Sequence, residues 1–324
     1  MTTTAVAAPA SDRESPFIHR VAVASAVAAG GLLAVQTRVN GELGSRLDDG
    51  LLAALVAFAS GLLLVSVGLL ANGSALAKLR SVRPLVRSGA LPGWTLLGGA
   101  VGSSFVVSQG LVAAALGTAL FTVAAVAGQA VSGLVLDRIG VGPGGSHAVT
   151  PRRLLGTLLC LAAVALSVSS RLDADVALWA IALPLLGGAA LAWQQAANGR
   201  VRAGTGSVLA ATFVNFAAGT AVVLAVAVAN GLANGFPASL PSEPWLYLGG
   251  VSAVVFIAAT TFLVHRTGVL LLGLGIIAGQ LVVSLLLDAA FSDQGVTALT
   301  VAGTVLALVA VLFAGSRGRS TPAR

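Results

Sequence analysis

The stretch "AGQAVSGLVLD", from Ala127 to Asp137, returns 151 residues later as "AGQLVVSLLLD", from Ala278 to Asp288. Each copy opens on a small pair and a glutamine, runs on through apolar residues and ends on an aspartate. An amide and a carboxylate are costly to place in an apolar segment unless the fold gives them partners. A matched pair of such segments therefore points to a duplicated unit, and the rest of the chain defines that unit.

Composition identifies the solvent. Of 324 residues, 57% are hydrophobic and 9% charged, with a mean hydropathy of +0.97, whereas soluble domains carry about 25% charged residues. The chain reads as an all-α membrane protein, because lipid offers backbone amides no partner and spanning segments must be helical. A span needs about 20 mainly apolar residues. Ten segments qualify, near 20–40, 51–71, 93–114, 117–137, 152–170, 176–197, 207–229, 245–264, 268–288 and 297–314. The run after Arg20 has the small residues of a signal-peptide cleavage site. A similar segment recurs mid-chain, so it reads as the first span.

The "AGQ" segments belong to a wider repeat. A shift of 158 lays "QTRVNG" (Gln36–Gly41) over "QQAANG" (Gln194–Gly199), and "AFASG" (Ala57–Gly61) over "NFAAG" (Asn215–Gly219). A shift of 151 pairs Trp94 with Trp245, Gly98-Gly99 with Gly249-Gly250, and Gly117 with Gly268. The expected organisation is a disordered cytoplasmic tail at 1–19, a five-helix repeat at 20–171, a second at 172–316 and a cytoplasmic tail at 317–324. Five is odd, so the second repeat is expected to enter the membrane inverted. Loop charge agrees: of the 18 lysines and arginines, all but Arg38, Arg46 and Arg171 fall on the side that holds both termini. That side is cytoplasmic by the positive-inside rule. Inverted repeats build transporters, in which two half-structures exchange packings around a shared cavity.

The residues also resemble a known family. Q-x3-N-G at the end of the first span, F-x2-G in the second, P-x-W…GG opening the third and G…AGQ…D in the fourth look like the YdcZ-type family of the drug/metabolite transporter superfamily. The resemblance covers about residues 21 to 315, once per half. It implies a drug/metabolite transporter-like fold, built here as a fused pair of five-helix units. It further implies an exporter of small molecules in the inner (cytoplasmic) membrane. Small multidrug resistance relatives in that superfamily use a carboxylate embedded in the first helix. The first span here has none before Glu42 at its outer end, which argues against the same cation and proton chemistry.

Polar positions within the spans are the candidate site. Gln129 and Gln280 each lie twelve residues past a span-opening glycine, about 18 Å deep at about 1.5 Å per residue, near the midplane from opposite faces. Asn215 lies about 12 Å deep. These three are the candidates for lining a central cavity; the alternative is interhelical hydrogen bonding. Gln36 with Asn40, and Gln194 with Asn198, each share a helical face but lie near span exits, as gates or as Asn-Gly helix caps. Trp193, beside Gln194, could flank a passing ligand. Arg38 can pair with Glu42 at i+4. Asp137 and Asp288 sit at helix C-termini, where the dipole disfavours them. They are either proton-exchanging groups or solvated interface residues, with Arg138 beside Asp137.

Several chemistries are excluded. One cysteine, Cys160, allows no disulfide framework or cysteine-rich metal site. The net charge of +7 is scattered over short loops rather than gathered on one face, so nucleic acid is not a partner. "VGPGGSH" (Val141–His147) lacks the Lys-Ser/Thr ending of a phosphate loop, and no hydrolase or zinc motif occurs. No enzyme activity, cofactor or metal is expected. The expected partners are membrane lipid and a small-molecule substrate, and a monomer suffices because one chain carries both repeats. The alternative function is a non-transporting membrane scaffold or sensor subunit, which has no need of polar positions matched in both copies.

Overall fold

The computed structural model describes residues 16–143, 145–146, 149–169, 178–237, 239–291 and 296–315. The tails expected at 1–19 and 317–324 fall almost wholly outside them, as do Arg171, His147 and the 171/172 boundary. Every regular element among the described residues is helical. The first half comprises α1 (Pro16–Leu47), α2 (Gly50–Leu70), the short α3 (Gly73–Arg80) and α4 (Val82–Arg87), α5 (Gly98–Leu116), α6 (Thr118–Ile139) and α7 (Pro151–Ser169). The second comprises α8 (Leu178–Thr205), α9 (Val208–Asn234), α10 (Gly249–Phe291) and α11 (Ala298–Gly315). Five helical stretches among the described residues are long and apolar enough to cross a bilayer: Gly50–Leu70, Gly93–Leu116, Thr118–Ile139, Trp179–Thr205 and Val208–Asn234. Large apolar side chains such as Leu70, Leu186 and Leu232, the last 78% exposed, stud their outer faces. A water-soluble monomer does not tolerate so extensive an apolar surface; a lipid-embedded one requires it.

The junctions of the two halves match in detail. Asp49 caps α2 by accepting from the amides of Leu51 and Leu52, both at 2.9 Å, and Ser207 caps α9 by accepting from Ala210 at 3.2 Å. The preceding residues, Asp48 (φ 50°) and Gly206 (φ 63°), both turn in the left-handed region. Asp48 is the one non-glycine residue there among those described, and aspartate tolerates that conformation better than most. A 3₁₀ turn leads into α5 (Gly93–Leu97), and another into α10 (Pro244–Tyr247). Gly117, at φ 78° and ψ 154°, separates α5 from α6. That region is open essentially to glycine alone.

Packing is crossed between the halves. α1 lies chiefly against α10, α8 against α5 and α6, α2 against α9, and α7 against α11. The same close approach occurs twice. Gly30 and Gly279 meet the carbonyls of Ile276 and Val27 across α1 and α10; Gly188 and Gly128 meet those of Ala125 and Leu185 across α8 and α6. Any Cβ at these four positions would collide with backbone, so the approach depends on glycine, as is common between membrane helices. At the centre, Phe58 covers Gly219 while Phe216 covers Gly61, and the two rings meet edge to face at 5.7 Å.

Three features depart from the sequence reading. First, α1 and α8 run past Asn40-Gly41 and Asn198-Gly199 to Leu47 and Thr205. These Asn-Gly pairs are therefore helix interior, not caps. Gly41 is needed where α5 presses in: a Cβ there would sit 2.9 Å from that of Ala113. Second, the basic loop after α2 contains α3, capped by Asn72 on the amide of Ala75, and α4. Val82 and Leu91 of this region are buried with Val201 and Ala211. Third, the segments near 245–264 and 268–288 are joined in one helical run of 43 residues. Straight, it would reach about 65 Å. Yet Gly249 abuts the Asn40 side chain, and the Phe291 carbonyl accepts from Arg38 at 2.9 Å. Both ends therefore return to one end of α1, and the run doubles back as two arms.

Candidate functional site

Where α1, α2, α5, α8, α9 and α10 converge they enclose a cavity of about 90 Å³. Its walls come from both halves. Apolar lining includes Phe58, Phe105, Phe216 and Phe256, and the polar lining is entirely amide: Gln36, Gln194, Gln195, Asn198 and Asn215. No acidic, basic or histidine side chain is among these lining residues.

The amides are organised around Asn215, which is 2% exposed on α9. Its Oδ1 accepts from Gln194 Nε2 at 2.7 Å and from Asn198 Nδ2 at 3.1 Å, both on α8. Gln194 and Asn198 are four residues apart and so project from one face. Gly102 on α5 makes room for them: a Cβ there would overlap the Gln194 carboxamide. Gln36 approaches from α1, 4% exposed. Gln36, Gln195 and the amide nitrogen of Asn215 have no hydrogen-bond partner among the described residues. Gln195 is exposed and Asn198 half-buried, whereas Gln36 and Asn40 are buried. Exposure among the lining amides is thus confined to α8, at Gln195 and Asn198, while Gln36 of α1 is buried.

Asn40 lies outside the cavity. Its Nδ2 donates to Gln109 Oε1 at 2.7 Å, and Gln109 Nε2 donates to Thr37 Oγ1 at 2.9 Å. This chain closes the α1/α5 contact; Gln109 is fully buried. Comparing repeats passes over Gln109, because position 260 carries threonine instead of a matching amide. Gln195 lies over Thr37 in the repeat and so has no matching amide, and Phe58 and Phe216, aligned in "AFASG" and "NFAAG", read as ordinary apolar positions.

Gln129 and Gln280, the expected midplane pair, do not line the cavity. Gln280 is 1% exposed, with neither amide atom bonded, where α10 presses on Gly30 of α1. Gln129, on α6, has a buried and unbonded Nε2. Depth along a helix places a residue near the midplane but does not say which face it occupies, and these faces meet neighbouring helices. Trp193 is also set back from the cavity. Its ring lies 5.1 Å from Trp94, over which Arg200 is stacked at 5.8 Å.

The two aspartates occupy different settings. Asp288 is 3% exposed, and its two oxygens accept from the amides of Thr118 (2.8 Å) and Ala119 (2.7 Å) at the N-terminus of α6. The end of its own helix disfavours a carboxylate, but the start of another helix favours it. Asp137 instead pairs with Arg153 of α7 rather than with the adjacent Arg138, and its side chain is 41% exposed. Arg46, rather than Arg38, pairs with Glu42 at 2.9 Å, and it also bridges to Glu243. Arg38 and Arg200 play equivalent parts: each donates to carbonyls ending a helix of the other half, Arg38 to Phe291 of α10 and Arg200 to Gly140 (2.8 Å) and Val141 after α6. No group of three metal-ligating side chains occurs among the described residues.

Comparison with known proteins matches this arrangement to one family. No curated protein matches the chain. The sequence model of the family described as "Putative inner membrane exporter, YdcZ" matches residues 21–166 and again 179–313. The first match ends within α7 and the second begins within α8, so each covers one of the two sets of helices whose crossed contacts repeat. By these two matches, which together span most of its length, the chain belongs to this YdcZ family and carries the family's unit twice.

Proposed function

We propose that the protein is a secondary transporter of the inner membrane, exporting a small polar or amphipathic metabolite by alternating access. The observation that carries this reading is the amide-lined cavity at the junction of two halves whose contacts are duplicated position by position. In the proposed arrangement ten spans form two inverted five-helix repeats, with both termini cytoplasmic. Burial of Gln36 and Asn40 and exposure of Gln195 support an inward-open form. The cavity is smaller than the ~300–1,000 Å³ of most small-molecule sites, so loading and release require the halves to separate. The outer closure rests on Asp288 holding the start of α6 and Arg38 holding the end of α10. In the opposite form Asp137 takes the equivalent cap on the amides of Val269 and Leu270, and Asp288 is released. Gln129, half-buried with an unpartnered Nε2, and Gln280, buried with both amide atoms unpartnered, are proposed to find partners in that form.

Two measurements test this. Cysteines placed at Ser81 and Ser239 should react with impermeant reagents from opposite faces of the membrane; labelling from the same face removes the inversion. In proteoliposomes, Gln129→Leu with Gln280→Leu should insert normally but lose solute flux. A scaffold would tolerate the same change with no function lost.

A further inference from the structure

We infer that the cavity selects an uncharged molecule with at least one hydrogen-bond donor and one acceptor, attached to a flat apolar body. This rests on the cavity being the substrate site. The polar contribution is five carboxamides and nothing ionisable. A carboxamide both donates and accepts, so the set complements an amide, an alcohol or a heterocyclic edge. It carries no net charge with which to compensate an ion.

An ion entering the site must shed water between apolar walls, and without a counter-ion nothing repays that loss. The nearby carboxylates cannot help. Asp288 is engaged at both oxygens by the amides of Thr118 and Ala119, and Asp137 by Arg153. A cation would find neutral amide oxygens and phenylalanine faces but no counter-charge; phenylalanine is a weaker cation partner than tryptophan, and Trp94 and Trp193 are packed on each other outside the lining. An anion would find no guanidinium, because Arg38 and Arg200 are committed to helix-end carbonyls.

The free hydrogen-bonding capacity belongs to a few groups. Asn215 Oδ1 is already filled by Gln194 and Asn198, which leaves its own amide nitrogen and the Gln36 and Gln195 carboxamides to bind a ligand. The edge-to-face pair of Phe58 and Phe216 adds apolar ring surface to the same lining. A ligand that satisfies the amides and covers the rings fits both; one lacking polar atoms leaves the amides unpaired. Sites that hydrogen-bond their ligands reject such analogues strongly.

The test uses purified, full-length protein and matched aromatic probes: benzamide, benzoate, benzylammonium and toluene. Saturable binding is read by tryptophan fluorescence and confirmed by calorimetry. Benzamide should bind at least about 10-fold more tightly than either ion, given the uncompensated charge, and more tightly than toluene. The double variant Gln36→Leu/Asn215→Leu should lose benzamide binding while keeping its melting temperature within a few degrees. Tighter binding of benzoate or benzylammonium overturns the inference, as do equal binding of toluene, survival of benzamide binding in the variant, or no saturable binding at all. Should Asn215→Leu misfold, Asn215→Ala, the residue found at the equivalent position 57, replaces it. Benzamide binding without flux in proteoliposomes would leave the selectivity standing and remove the transporter reading instead.

Discussion

Replacing Asp288 with asparagine should loosen the outer closure without preventing membrane insertion. The carboxylate accepts one amide proton on each oxygen, at 2.8 and 2.7 Å, from the first turn of α6. Asparagine keeps one acceptor and turns an NH₂ group towards the second amide. One buried donor is orphaned, which costs about 1–3 kcal/mol. Loss of the negative charge at the helix N-terminus adds about 0.3–2 kcal/mol. Taken together this is about 1.3–5 kcal/mol, and each 1.4 kcal/mol is about a factor of 10. The fraction of molecules with this contact open should then rise about 10- to 4,000-fold. Ser284→Cys reports it, one turn before Asp288 on the same helical face and fully buried when closed. The native Cys160 is 2% exposed and gives little background. An impermeant maleimide applied from outside should label Ser284→Cys about 10 times faster or more in the Asp288→Asn background. Asp137→Asn is the matched control, since an exposed ion pair is worth about 0–1 kcal/mol. Equal labelling with and without the Asp288 carboxylate would refute the idea that it holds the closure.

Other perturbations follow from the same geometry. Gly102→Ala should displace the Gln194 amide and break its bond to Asn215, weakening benzamide binding about 5- to 100-fold if about 1–3 kcal/mol is lost, as calorimetry would record. Gly61→Ala and Gly219→Ala should each lower thermal stability by about 1–3 kcal/mol through overpacking, because each new Cβ meets a phenylalanine ring; melting in detergent measures this, and equal losses would reflect the duplicated contact. Glu243 titrates below the ordinary carboxylate range because of a hydrogen bond from its own backbone amide and then its bond to Arg46. A depressed folded value means its contribution is complete above the unfolded value of about 4.3 and is lost only as pH falls through the folded one. Glu243→Gln should therefore alter stability at neutral pH and stop mattering in strong acid, as melting across pH would record.

The sequence made the helices, the repeat and its register legible because each leaves a local or periodic trace. The 158-residue shift that aligns Gln36 with Gln194 also sets Asp48-Asp49 on Gly206-Ser207, and the two pairs share a left-handed residue followed by a capping one. What it could not convey was which face of a helix meets which neighbour. Gln129 and Gln280 have the expected depth, but neither is on a face that lines the cavity. Gln194 and Asn198 looked peripheral only because α8 was expected to end at Gly199, whereas it continues two turns further. Asp288 was puzzling on its own helix because its partner is the start of another, 170 residues away in sequence. No one-dimensional pattern encodes that meeting.

The substitution of Ala57 in one half by Asn215 in the other has a consequence for how such a passage can evolve. Two identical chains clasped together must present the same groups to both ends of whatever they hold. A tandem chain is released from that constraint, so one copy can become the gripping hand and the other a smooth backstop. Asn215, with Gln194 and Asn198 gathered around it and only alanine at the mirrored place, is how far that division of labour has gone here.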